Sequence, residues 1–177
     1  MALPRPSGRQ LRSGACLPVG IGGAESNVAI GPARLGVRST WISRVGDDAL
    51  GAVVTRETRS EGVTVTAHLD TAAPTGLMVK ELRGGKPWVR YYRNDSAASR
   101  LFPADVDASA IADARVQHLT GITPALAPGP LQAVEHAIAI SPTNQALSCP
   151  STSTTGPPAG RLSGRHPCCP ASPQLST

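Results

Sequence analysis

The chain has 177 residues and a formal net charge of +5, and its length suits one domain with a real core. Residues 21–140 hold twelve basic and twelve acidic side chains, so the excess sits in Arg5, Arg9, Arg12, Arg161 and Arg165 at the two ends; the body carries no basic face, and a nucleic-acid partner is discounted. No apolar run approaches the ~18–20 residues that span a bilayer, MALPRPSGRQLRSGACLPVG has no continuous apolar stretch for a secretory signal, and Cys16, Cys149, Cys168 and Cys169 all lie outside the body, which suits a reducing cytoplasm and no disulfide framework.

In chain order, residues 1–20 are expected to be irregular and unrelated to the body of the chain. A Gly-Gly pair at Gly22 and Gly23 opens the informative stretch, GGAESNVAIGPARLGVRSTWISRVGDD. Val28, Ala29, Ile30, Ala33 and Leu35 predict a short helix from Glu25 to Leu35, closed by Gly36. Pro32 falls inside it, removing one helix hydrogen bond at a cost of ~3 kcal/mol or a kink. Ser39–Val45 reads as a strand, Asp48 to Ser60 as a helix with acids at its positive end, and Thr64–His68 as a second strand. Thr75–Leu82 and Trp88–Arg93 are strand-like runs joined by Arg83-Gly84-Gly85-Lys86-Pro87, a hairpin connection. Asp107–Asp113 predicts a short helix, Val116–Thr120 a buried strand, and Pro128–Ile140 a helix that starts at a tolerated proline. From Ser141 to Thr177 there are seven Pro, seven Ser and five Thr with no acid, a composition expected to stay disordered, and the abrupt switch is what a shifted reading frame would produce. Strands alternating with helices and interrupted by one hairpin argue for an α/β sheet with a small β excursion.

Glycines allow close approach of backbone to a ligand, and an amide such as Asn27 both donates to and accepts from a hydroxyl. A dinucleotide site is the rival for this Gly-rich turn. It fails because G-x-G-x-x-G from Gly20 places its third glycine at Glu25, and no apolar strand is evident before it. Arg93 is suited to fork onto a carboxylate, and a tyrosine offers an apolar face with a hydroxyl. Strand alternation puts Tyr91 and Arg93 on one face and Tyr92 on the other; the plain alternative is an exposed hairpin with a solvated arginine. His118 reads as a packed strand residue, His68 and His136 have no paired carboxylate or cysteine at ligand spacing, and His166 with Cys168 and Cys169 lacks a second half, so no metal site is expected.

Taken together, Gly22-Gly23-Ala24-Glu25-Ser26-Asn27, the helix closed by Gly36, and Gly46 resemble the sugar-binding start of the ribokinase-like (PfkB) carbohydrate kinases. The Gly-Gly-Ala-Glu-x-Asn form, with Tyr91-Tyr92-Arg93 and Ser96-Ala97-Ala98-Ser99, is similar to the 2-keto-3-deoxygluconate kinases. The resemblance covers residues 21–140. It implies a ribokinase-like parallel sheet with helices plus a small β-lid hairpin over about 74–101, truncated relative to the family. It further implies that Gly22, Gly23 and Asn27 line the sugar site, that Tyr91 and Arg93 reach it from the lid, and that Ile122 in the loop Thr120–Pro124 touches the substrate. Glu25 is expected to brace its own loop or helix start. Met78 departs from the family lid, where a tyrosine is common.

For the full-length family the resemblance implies ATP and Mg2+, a sugar or sugar-acid substrate and a homo-oligomer formed through the lid. In these kinases the nucleotide cradle and the catalytic base belong to a later Gly-Ala-Gly-Asp run. No such run occurs here, nor does an Asp-x-Asn-x-Arg strand after Ile140. Asp47 and Asp48 fit helix capping instead. The expectation is therefore a truncated sugar kinase with part of the sugar site, no catalytic residue, no cofactor site and no activity of its own. The competing readings are a non-catalytic sugar-binding or lid-mediated association module, and a gene remnant without a stable fold.

Overall fold

The computed structural model describes residues 2–4, 13, 17–83, 86–141 and 146–148. The elements run β1 (Ala2–Pro4), β2 (Val19–Ile21), α1 (Ala24–Arg34), β3 (Thr40–Gly46), α2 (Ala49–Ser60), β4 (Thr64–Asp70), β5 (Leu77–Arg83), β6 (Lys86–Tyr92), two 3₁₀ turns (Ala97–Arg100 and Pro103–Asp105), α3 (Ala108–Ala112), β7 (Val116–His118), α4 (Pro128–Ala139) and β8 (Ala146–Ser148).

β3, α2 and β4 form a βαβ unit: β3 and β4 pair in parallel from Thr40 opposite Thr64 to Gly46 opposite Asp70. α2 buries Gly51, Val54, Thr55 and Thr58, the i, i+3, i+4, i+7 stripe of a core-facing helix. Its two buried threonines cost little, because Thr55 Oγ1 donates to the Gly51 carbonyl at 3.0 Å and Thr58 Oγ1 to the Val54 carbonyl at 2.7 Å. Val54 packs with Ala29 of α1, Trp41 and Val45 of β3, and Val63. Burying a valine this fully is worth roughly 1.5–3 kcal/mol. α1 runs unbroken through Pro32 to Arg34. The proline sits in the last turn, and the helix closes four residues later on Gly36, whose φ of 78° suits glycine.

The predicted hairpin is present, with Met78 opposite Tyr91 and Leu77 opposite Tyr92. It belongs to a four-stranded sheet in the order β2-β1-β5-β6, in which β1 pairs antiparallel with β2 and parallel with β5. β6 is an edge strand, exposed along its whole length. Two expectations need correction here. A short strand, β2, does precede the glycine pair, so the dinucleotide reading falls on its misplaced third glycine alone. β1 and β8 are ordered in segments expected to be irregular, β8 pairing in parallel with β7. Each is three residues long, and its stability comes from a neighbouring strand that local patterning cannot show. The remaining expectations for residues 149–177 lie outside the described residues.

Candidate functional site

The βαβ unit and the hairpin meet at one hydrogen-bonded knot. Asp48 caps α2 by accepting the Gly51 N–H at 2.7 Å, and its other oxygen accepts the Thr75 N–H at 2.7 Å. Thr75 Oγ1 in turn accepts the Gly46 N–H at 2.9 Å. The start of the hairpin is therefore tied to the carboxyl end of β3, where open α/β sheets place ligands.

All six sugar-site candidates from the sequence face one open concavity of about 1650 Å³: Gly22, Gly23, Asn27, Tyr91, Arg93 and Ile122. That is larger than the ~300–1,000 Å³ of an ordinary small-ligand pocket, and many other residues share its lining. Gly22 is buried and Asn27 exposed. Gly23 has φ 172°, ordinary extended backbone, and its need for glycine is spatial: a Cβ would lie 2.9 Å from Ser26 Oγ. The Arg93 guanidinium stacks over the Tyr91 ring at 5.0 Å, within cation–π range. Tyr91 and Arg93 line the concavity together with Met78, the cross-strand neighbour of Tyr91. The Ile122 N–H is engaged by Thr120 Oγ1 at 3.2 Å, leaving its carbonyl and side chain as the groups it can offer a ligand.

Two features were missed by reading the sequence. Glu25 does more than brace its own loop: its Oε1 accepts from Thr120 Oγ1 and, at 2.6 Å, from Thr123 Oγ1. This one carboxylate clamps the glycine loop to the loop carrying Ile122. Threonines on both sides of Gly121 were the available signal. The second feature is a charge cluster beside the site. Arg44 of β3 donates from Nε to Asp70 Oδ2 at 2.9 Å and from Nη1 to both oxygens of Asp105 at 3.0 Å. Arg100 Nε lies 3.2 Å from Asp70 Oδ2, and His68 Nδ1 3.6 Å from Asp105 Oδ1. Asp70 and Asp105 are almost wholly buried, at 3% and 6% exposure.

Two carboxylates, Asp48 and Asp70, favour their charged form. Burial pushes Asp48 up, but the N–H groups of Thr75 and Gly51 outweigh it and hold it below its ordinary 3.8. The Ala72 N–H first, and Arg44 second, hold Asp70 below 3.8 as well. A group depressed in the folded state contributes stability that is full above its unfolded value and is lost as pH falls through the folded one. Thermal melts are therefore expected to be flat from neutrality to about pH 5, then to fall steeply below 3.8, with a shallower acid limb in Asp48→Asn.

Residues 7–159 match the profile of the pfkB family carbohydrate kinases. Over 110 residues the chain is 46% identical to the 2-dehydro-3-deoxygluconokinase of Bacillus subtilis (strain 168), covering 60% of this chain and 34% of that protein. A crystal structure of a PfkB protein from Polaromonas sp. JS666 superposes with a TM-score of 0.78 at 32% identity, covering 84% of this chain and 52% of that one. An uncharacterized sugar kinase, PH1459 from Pyrococcus horikoshii, in complex with ATP shares the fold at a TM-score of 0.74 and 24% identity, covering 84% of this chain and 49% of that one. The chain thus spans about a third of the first relative and half of the structures. Among the described residues no helix is long and apolar enough to cross a membrane. With the glycine loop, the hairpin and the matched profile in agreement, the chain belongs to the pfkB family of carbohydrate kinases.

Proposed function

We propose that this chain is the sugar-recognising part of a 2-keto-3-deoxygluconate kinase, binding the sugar acid between the glycine loop and the β5–β6 hairpin. The observation that carries this reading is the meeting of Asn27, Tyr91, Arg93 and Ile122, from three distant stretches of chain, on one concavity. Asn27 reads a hydroxyl, and Arg93 holds the carboxylate in a charge-assisted contact while stacked on Tyr91. The relatedness to a 2-dehydro-3-deoxygluconokinase supports the same substrate class.

The family is ATP-dependent, yet the residues present lack the run that cradles the nucleotide in these kinases. The sequence holds no Gly-Ala-Gly-Asp run. Phosphoryl transfer needs a phosphate cradle and a group to orient the attacking hydroxyl, so no transfer step is assigned to this chain. The edge strand β6, with Trp88, Tyr91 and Tyr92 about half exposed, supports association of copies through the lid. The cysteine-free body supports a cytoplasmic setting.

The test is thermal stabilisation by the free sugar acid. At a hundred times its Kd the ligand is expected to stabilise by about 2.7 kcal/mol, while coupled ADP release stays at background. A melting temperature unmoved by 2-keto-3-deoxygluconate would remove the sugar-binding reading. Turnover of roughly 1–100 per second would remove the assignment as a non-catalytic part.

A further inference from the structure

We propose that Asp70 is a positioning residue that sets the β5–β6 hairpin over the sugar site by holding both of its stems to the parallel sheet. The role rests on the reading of the hairpin as a sugar lid. The anchoring itself is carried by contacts that involve no ligand.

Asp70 is the last residue of β4, and its backbone carbonyl is already occupied by the Asp47 N–H at 2.9 Å. Its side chain meets three further segments. Oδ1 accepts from the N–H of Ala72, on the outgoing stem, at 2.9 Å. Oδ2 accepts from Arg44 Nε on β3 at 2.9 Å, and it lies 3.2 Å from Arg100 Nε on the returning stem. Arg44 then reaches Asp105, whose Oδ2 also accepts the Phe102 N–H at 2.9 Å, so the returning stem is fixed a second time. The stems are joined directly by the Ala97 N–H on the Pro74 carbonyl at 2.8 Å, with Ala97 fully buried. Ser96 Oγ donates to the Arg93 carbonyl at 2.8 Å. The path from Asp70 to the two lid side chains therefore runs through short, packed contacts.

A buried ion cluster adds little net stability over an apolar replacement of the same volume. What it adds is direction. Three donors from three segments converge on one carboxylate, and only one arrangement of the stems satisfies them all. A hydrophobic contact at the same place would allow the stems to slide.

Asp70→Asn keeps the size and the acceptor for Ala72 but removes the charge shared by Arg44 and Arg100. Amide hydrogen exchange on the whole chain is expected to speed up about tenfold in β5 and β6, with α2 and β3 unchanged. Affinity for 2-keto-3-deoxygluconate is expected to fall about tenfold, equivalent to about 1.4 kcal/mol. Arg100 is 45% exposed on its side chain, so Arg100→Ala leaves folding intact and is expected to give the same local pattern at about threefold. Arg100→Lys restores most of it, which keeps the test decisive if Asp70→Asn fails to fold. Acceleration spread evenly over β3, α2 and the hairpin would make Asp70 a stability residue and overturn the proposal. So would hairpin rates that move in neither variant. If the parent chain binds no sugar, the lid reading fails on its own, and the exchange pattern still decides the anchoring.

Discussion

Replacing Arg93 with alanine is expected to weaken binding of 2-keto-3-deoxygluconate by roughly ten- to a hundred-fold while barely changing the affinity for an uncharged sugar of similar size. A hydrogen bond to a charged group is worth about 1.5–3 kcal/mol, and each 1.4 kcal/mol is about tenfold in affinity. The selectivity follows from charge. Arg93 is half-buried at the end of the hairpin, stacked on Tyr91, and lines the concavity that the glycine loop also lines. Asn27→Ala is expected to weaken acid and neutral sugars alike, because hydroxyls are common to both. Titration calorimetry with both ligands on both variants reads the difference. Equal losses on removing Arg93 would mean that it braces the hairpin, and the substrate class would revert to an unspecified sugar.

The largest expected loss of stability comes from adding one methyl group at Gly51. A Cβ there would lie 2.2 Å from the Gly46 carbonyl oxygen and 2.9 Å from Thr75 Oγ1. Both neighbours belong to the knot formed by Asp48, Thr75 and Gly46, and the nearer one is backbone. α2 must then move away from β3 or break its cap. Overpacking costs typically ~1–3 kcal/mol and occasionally more, and Gly51→Ala is expected at or beyond the upper end. The matching control is Gly31, exposed on α1 with nothing within 4 Å of its would-be Cβ. Gly31→Ala is expected to be near neutral, since a propensity gain of about 0.5–1 kcal/mol is offset by the crowding of a Cβ against the following Pro32. Chemical denaturation of both variants separates crowding from propensity. A Gly51→Ala chain as stable as the parent would mean that the knot yields easily.

Local period accounts for what could be read from the residues. Asp48 before an apolar stripe announced α2, and two β-rich runs around a Gly-Gly turn announced the hairpin with its ends nearly in place. The six site candidates came from short motifs and from the family resemblance, and all six line the one concavity. Glu25 with Thr120 and Thr123, and Arg44 with Asp70 and Asp105, were not. Their partners lie 26 to 98 residues apart, and no period in the sequence links them. β1, β2 and β8 escaped for a related reason, since three residues are too few to show alternation.

The distance from Glu25 to Thr123 also sets an order of events during synthesis. The two sides of the clamp leave the ribosome 98 residues apart, which at ~5–20 residues per second is an interval of about 5–20 seconds. Through the second half of that interval the glycine loop waits beside a completed βαβ unit, which ends at Asp70, without the loop that closes it. If the chain binds a sugar as proposed, the sugar meets an open, half-built site before it meets the clamped one.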